Sequence, residues 1–355
     1  MPIGPRPLSR RNVITRFVLL AILIGASIWM LCGPSRTPET DSTTWSGATM
    51  GTRWTVKVVG PHRGSDDLQL EIQRALDEVE LAMSTWLSES ELSRFNAAPA
   101  NTPFEVSTPT LEVVQVAQAV SEQSGGAFDA TIEPLIEAWG FNTAAVGTWT
   151  RPAPDVVARA KARVDYRKLE VDPEARTLVK TAEGSKVDLS AVAKGYAVDR
   201  VAAALEARGI ARYMVEVGGE VRVRGPNEHD GPWRIGLERP SSDDPTPHAV
   251  VPVTDGAVAT SGTYRNFHAS AGEHLSHLVD PREGAPVRHA TVSVTVLHSA
   301  CAHADAWATA LLVLGSTEGL ALAEKLGIRA LFVDHAEAGL ARRATSTFGP
   351  FEVVD

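Results

Sequence analysis

The chain has 355 residues, 44% hydrophobic and 22% charged: enough apolar side chain for one large or two ordinary domains, and too much for a disordered chain. The formal net charge of -9 argues against a nucleic-acid binder, which would show a basic face. It leaves a phosphate-bearing ligand open, because a metal ion or a helix N-terminus can hold an anion on an acidic protein.

Residues 1–16 carry Arg6, Arg10, Arg11 and Arg16 and no acid, and Phe17 to Leu31 is apolar except for Gly25 and Ser27. A basic flank before an apolar core is the pattern of an export signal or an N-terminal anchor, so residues 1–32 are read as one or the other. The run is short against the roughly 20 residues of a full span. Cys32 could carry a lipid, but Trp29-Met30-Leu31 is a bulky approach to such a site. Ser9-Arg10-Arg11 also resembles a twin-arginine signal, although ordinary positive-inside charge explains it as well. Each version puts the rest of the chain on the extracytoplasmic face of the inner membrane. Residues 33–44, rich in Pro, Ser and Thr, read as a linker, with the body at 45–355.

Thr52 to Val59 alternates as a strand and ends at Gly60-Pro61. Leu68, Ile72, Leu76, Val79 and Met83 recur at helical spacing, which predicts an amphipathic helix over 66–83. Thr108 as cap and Pro109 at the first position predict a second helix to about Glu122, stopped by Gly125-Gly126. Residues 142–154 read as loop. Ser190 can cap a third helix to Arg208, with Gly209 as its stop. Tyr213–Val217 and Val221–Arg224 read as strands around Gly218-Gly219. Val292, Val294 and Val296 alternate with Ser293 and Thr295, a half-buried strand. A helix over Ala304 to Leu314, ended by Gly315, and a strand from Ala330 to Val333 follow. Strands and helices mix without a βαβ rhythm, so the fold class is α+β.

Several familiar sites are missing: there is no P-loop, no GxGxxG, no HExxH and no GxSxG, and the two cysteines, Cys32 and Cys301, have no metal-ligand spacing. Three clusters remain. Asp305 and Thr309 share one helix face and suit a hard cation such as Mg²⁺, although a pair at this spacing is more often solvated surface. The apolar neighbours Ala304, Ala306, Trp307, Ala308, Ala310 and Leu311 favour the cation, because a buried carboxylate needs a partner. Asp188 to Tyr196 puts an acid at a helix start and Lys194 in its first turns, which suits an anion, although position alone favours a plain capped helix with Lys194 in solvent. Ser261 to Asn266, His274, His277 and Asp280 form the third; a histidine near an acid can act as a base near neutral pH.

In order, the chain carries Met50-Gly51-Thr52, Met83-Ser84-Thr85-Trp86, Ser93-Arg94-Phe95-Asn96, Gly126 to Thr131, Pro134-Leu135, Trp139-Gly140-Phe141, Asp188 to Asp199, Gly218-Gly219-Glu220, Ser261 to Asn266, His277 to Pro281 and Ala304 to Leu311. This series, over roughly 45–335, resembles the ApbE family of FAD:protein FMN transferases. The resemblance implies one compact body of mixed sheets and helices, T-fold-like. It implies FAD-contacting positions at Met50, Trp86, Ala127, Phe128, Asp129, Asp188, Lys194 and Val279. Trp86 stands where the family commonly has tyrosine. A Mg²⁺ site is implied at the side chains of Asp305 and Thr309 and the backbone carbonyl of Ala191, with His277 as base. His303 matches nothing assigned and reads as a core or rim histidine.

The implied reaction moves the FMN half of FAD onto a serine or threonine of a client protein, a membrane redox subunit, and releases AMP. Two other readings share the same residues: a Mg²⁺-dependent FAD pyrophosphatase, with water as acceptor, and a flavin-binding lipoprotein without catalysis. Storage alone needs no metal on a pyrophosphate, which weighs against the last.

Overall fold

The computed structural model describes residues 40–354 except 61–64, 143–148, 242–245, 265–266, 271–272 and 338. The basic and apolar N-terminal segment, with Cys32, lies outside them. The body Asp41–Asp355 forms one unit.

Its centre is an eight-stranded antiparallel sheet whose strands lie side by side in chain order. They are β1 (Ser42–Thr49), β2 (Thr52–Val59), β3 (Tyr213–Val217), β4 (Glu220–Arg224), β5 (Gly256–Gly262), β6 (Thr291–His298), β7 (Arg329–Ala336) and β8 (Gly339–Ala344). Ser42–Thr44, expected to end the linker, instead pair with Lys57–Val59, so the ordered body starts earlier than its composition suggests. Polar residues on an edge strand look like linker because only one of their faces is covered.

Among the described residues the α-helices are α1 (Ser65–Met83), α2 (Glu91–Ala97), α3 (Thr108–Gln123), α4 (Glu133–Trp139), α5 (Pro154–Lys161), α6 (Ser190–Ala207) and α7 (Cys301–Leu326). Trp54, Val56 and Val58 of β2, Val215 and Val217 of β3, and Val294 and Val296 of β6 join the core with Ile72, Leu76, Val198 and Leu311 of the helices. The period of two along each strand sends the alternate residues to the other face. There Val221, Val223, Val258 and Leu297 meet Trp233, Ile235, Leu237 and Val251 of a three-stranded sheet, Trp233–Glu238, Pro247–Val253 and Glu352–Val353.

That second layer corrects the expectation for β6. Ser293 and Thr295 are buried along with the valines, and Thr295 shares a 2.8 Å hydroxyl contact with Thr260. Alternation alone reads as half-buried, and only the covering sheet makes both faces interior.

Two cap assignments also shift. Ser107, not Thr108, occupies the N-cap of α3, and Leu189, not Ser190, that of α6. The Asp188 carboxylate takes the Ser190 N–H at 2.7 Å, the task expected of a capping hydroxyl. α7 begins at Cys301, three residues before the expected start. Asp199 of α6 accepts the N–H groups of Cys301 and Ala302, each at 3.0 Å, so the cap comes from a distant helix. Gly315, the expected stop, breaks the helical dihedrals (φ 71, ψ 174), but turns resume directly to Leu326. α7 is apolar and long enough to cross a membrane, yet 67% of its most apolar window is buried inside the protein, as befits a core helix.

In the smaller layer His248 is 1% exposed and its Nδ1 accepts the Nε–H of Arg342 at 3.1 Å. Burial, then the charges of Arg342 and Arg239, push its imidazole down to about 4. The unfolded chain binds this proton below about pH 6.5 and the folded chain does not until about pH 4, so stability falls as pH drops through that window. Replacing His248 with Asn should remove up to about 3 kcal/mol of the acid-side loss between pH 7 and 4, read by urea unfolding at each pH.

Candidate active site

Helices α6 and α7 cross in contact because position 195 is glycine. A Cβ there would stand 2.4 Å from the Cys301 carbonyl oxygen and 2.9 Å from the Ala302 Cα. The close approach lets the Gly195 N–H reach Asp305 Oδ2 at 3.0 Å. In a regular helix that N–H belongs to the carbonyl of Ala191, four residues earlier in the first turn of α6. Asp305 is 3% exposed, not part of a solvated surface pair. Thr309, one turn on, lies 2.9 Å by its Oγ1 from the Ser261 hydroxyl of β5.

Lys194 is half-buried and paired rather than free in solvent. Its ammonium bonds Glu220 Oε1 at 2.6 Å and stands 3.7 Å from Asp305 Oδ1. Burial holds the Asp305 carboxyl above the usual carboxylate range, with Lys194 opposing and Glu220 adding to the rise. Burial works against the Lys194 charge as well, but Asp305 and Glu220 more than offset it and hold its pKa above the ordinary lysine value.

Glu220 follows the Gly218-Gly219 turn, where φ is 61 and 106. A Cβ on Gly218 would stand 2.9 Å from the Thr52 methyl and 3.4 Å from Lys194 Cδ, so β2, this turn and Lys194 converge. Met50 and Gly51 are the two turn residues between β1 and β2, both at positive φ (46 and 69), and they bring Met50 to this end of the sheet. The Gly218-Gly219 turn is a tight connection between β3 and β4, and it presents an acid, Glu220, at the start of β4.

The Asp188 N–H bonds the Ala130 carbonyl at 2.8 Å, which ties the start of α6 to the loop that carries Asp129. Asn96 holds the Val187 backbone with both ends of its amide, each bond 2.8 Å. Neither partner is visible from spacing, because each lies tens of residues away. Ala127 and Phe128 are buried in the core, which leaves their backbone, not their side chains, for a ligand. The Asp129 carboxylate is taken up by Thr131 N–H and hydroxyl at 2.7 and 2.6 Å and by Tyr166 N–H at 2.8 Å, so it shapes the loop. Burial, opposed chiefly by Thr131, raises its pKa.

Trp86 is 72% exposed, on a loop held by Ser84, whose Oγ accepts the N–H groups of Trp86 and Leu87 at 3.2 Å. Val279 packs at 4% exposure in a satellite core with Leu135, Trp139 and Leu275. His277 is half-buried in the turn between Glu273–Ser276 and Val279–Asp280, on other elements than α6 and α7. His303 stacks on His298 with centroids 4.9 Å apart, beside the start of α7, a rim position as expected.

Glu133 opens α4 at 7% exposure, with the Asn142 amide bonded to it at 3.0 Å. Burial, then the nearby Asp188 charge, push it up to about 7. A raised carboxyl penalises the folded state increasingly as pH rises from about 4.5 to 7. Glu133→Gln should therefore stabilise the protein at pH 8, by up to about 3 kcal/mol, and leave it unchanged near pH 4. Unfolding curves at the two pH values check this.

The donor set fits a hard cation. One buried carboxylate, one hydroxyl and a first-turn carbonyl are oxygen donors of the kind such a cation takes. Among the described residues no group of three or more His, Cys, Asp and Glu could hold a metal alone. Mg²⁺ characteristically takes one or two carboxylates and completes its shell with phosphate and water.

A sequence model described as the ApbE family matches residues 50–332. A relative from Vibrio cholerae, named FAD:protein FMN transferase, is 41% identical over 332 residues, 92% of this chain and 97% of that protein. Another of the same name, from Salmonella typhimurium, is 34% identical over 338 residues, 93% of this chain and 96% of that protein. Among solved structures, the flavin transferase ApbE from Vibrio cholerae aligns with a TM-score of 0.80 at 39% identity, covering 88% of this chain and 99% of the other. The Pseudomonas stutzeri flavinyl transferase ApbE aligns at 0.78 and 34%, covering 87% and 96%.

Proposed function

Because the chain belongs to the ApbE family, we propose that it is an FAD:protein FMN transferase that moves the FMN half of FAD onto a serine or threonine hydroxyl of a client protein. The observation that carries this reading is the buried Asp305 on the α7 face that meets the first turns of α6, flanked by Lys194 and Thr309.

Asp305, Thr309 and the Ala191 carbonyl would hold Mg²⁺, with FAD bound through its pyrophosphate. When bound, the ion neutralises phosphate charge and stabilises charge developing on the leaving AMP. Lys194 faces the same phosphates and opposes part of the rise that burial imposes on Asp305. Trp86 supplies an exposed flat ring for stacking, and Met50 and the 127–129 backbone border the flavin. His277 takes the proton from the acceptor hydroxyl. The hydroxyl oxygen bonds to the FMN-side phosphorus as that phosphorus parts from the oxygen of AMP. The products are a phosphoester-linked FMN and free AMP. The basic and apolar N-terminus tethers the enzyme to the inner membrane, with its body on the extracytoplasmic side, where it modifies a membrane redox subunit.

Incubation of the full chain with FAD, Mg²⁺ and an acceptor domain should give an acceptor mass gain of one FMN with matching AMP. AMP with free FMN and no labelled acceptor would instead establish a pyrophosphatase.

A further inference from the structure

Glu220 is 3% exposed, and its two carboxylate oxygens have different surroundings. Oε1 receives the Lys194 ammonium at 2.6 Å, while Oε2 is buried with no hydrogen-bond partner. A buried carboxylate with an unused oxygen costs folding free energy, so the fold alone does not account for an acid here. Glutamate at this place is better explained by what it does to Lys194.

The lysine stem is flexible and its head is a compact point charge that goes where its partners draw it. Two acids draw this one: Glu220 from the start of β4, and Asp305, 3.7 Å away, from α7. Without Glu220 the ammonium would close directly on Asp305. It would then compete with a cation for that carboxylate and leave the space beside it. The Gly218-Gly219 turn, with both φ values positive, brings Glu220 to the lysine from a different element than Asp305, and Gly218 leaves room for the lysine stem beside Thr52.

We propose that Glu220 is a positioning residue, holding the Lys194 ammonium off Asp305 so that it meets the phosphates of FAD while the carboxylate stays available to the metal. The inference rests on the FAD-binding part of the proposed function, and Glu220 itself touches neither phosphate nor metal.

A double-mutant cycle tests it. FAD affinity in Mg²⁺ would be measured by flavin fluorescence for the full chain, Glu220→Gln, Lys194→Met and the double variant, with a thermal melt of each. The expected result is an FAD affinity about tenfold or more weaker in Glu220→Gln, the size of one charge-assisted hydrogen bond. In the Lys194→Met background the same change should cost less than about twofold, because no ammonium remains to place. The melting temperature should stay within about 2 °C of the parent, since glutamine keeps the shape. Equal losses in both backgrounds, a large drop in melting temperature, or unaltered affinity in Glu220→Gln would each overturn the proposal. Failure of the unaltered protein to bind FAD would instead count against the function from which it starts.

Discussion

Asp305→Ala should reduce FMN transfer by about a thousandfold or more, the scale expected when a catalytic cation or a main charge-stabilising contact is lost. Asp305 is the one side-chain carboxylate among the proposed ligands. It is buried, it sits where α6 and α7 touch, and its other oxygen is already engaged by the Gly195 N–H. A neighbouring residue cannot replace it: Glu220 is bound to Lys194, and Thr309 brings only a neutral hydroxyl. The variant should still fold, because the cost of burying the charge disappears with it. Transfer is measured as FMN mass on the acceptor after EDTA treatment and readdition of Mg²⁺. Transfer within tenfold of the parent under those conditions would remove Asp305 from the metal site. Asp305→Asn separates charge from shape and should lose nearly as much.

Gly195→Ala should destabilise the body by about 3 kcal/mol or more, since overpacking against rigid atoms forces backbone movement. In an ordinary helix interior this replacement is favourable by roughly 0.5–1 kcal/mol, so the sign of the effect is itself diagnostic. The new methyl would meet the Cys301 carbonyl oxygen at 2.4 Å and its carbon at 2.7 Å, all backbone at the start of α7. No side chain can swing aside, so the helices must part. Parting them lengthens the Gly195–Asp305 bond, and FAD affinity in Mg²⁺ should fall with stability. Urea unfolding and flavin binding on one preparation check both. A variant as stable as the parent would mean that the crossing has slack and that glycine is there for another reason.

Much of the scaffold was legible because local periodicity reports it. Leu68, Ile72, Leu76, Val79 and Met83 locate α1, alternation locates β2, and Gly209 and Gly125-Gly126 locate helix ends. The ordered series of short motifs was legible too, and with it the family. Local pattern does not record what covers an element from elsewhere in the chain. Hence β6 read as half-buried, Ser42–Thr44 as linker, and α7 as starting three residues late: the covering sheet, the partner strand and the Asp199 cap are each distant in sequence. The charge environment of the site was hidden for the same reason. Position alone left Lys194 open between an anion contact and solvent and showed Glu220 only beside a turn, because an ion pair across 26 residues and a carboxylate across 110 from Gly195 exist only once α6, α7 and β4 have packed. The sequence by itself determined which residue types were available and which face of each element they occupy. Tertiary structure alone decided which of them are buried together, and burial sets the strength of their electrostatic interactions.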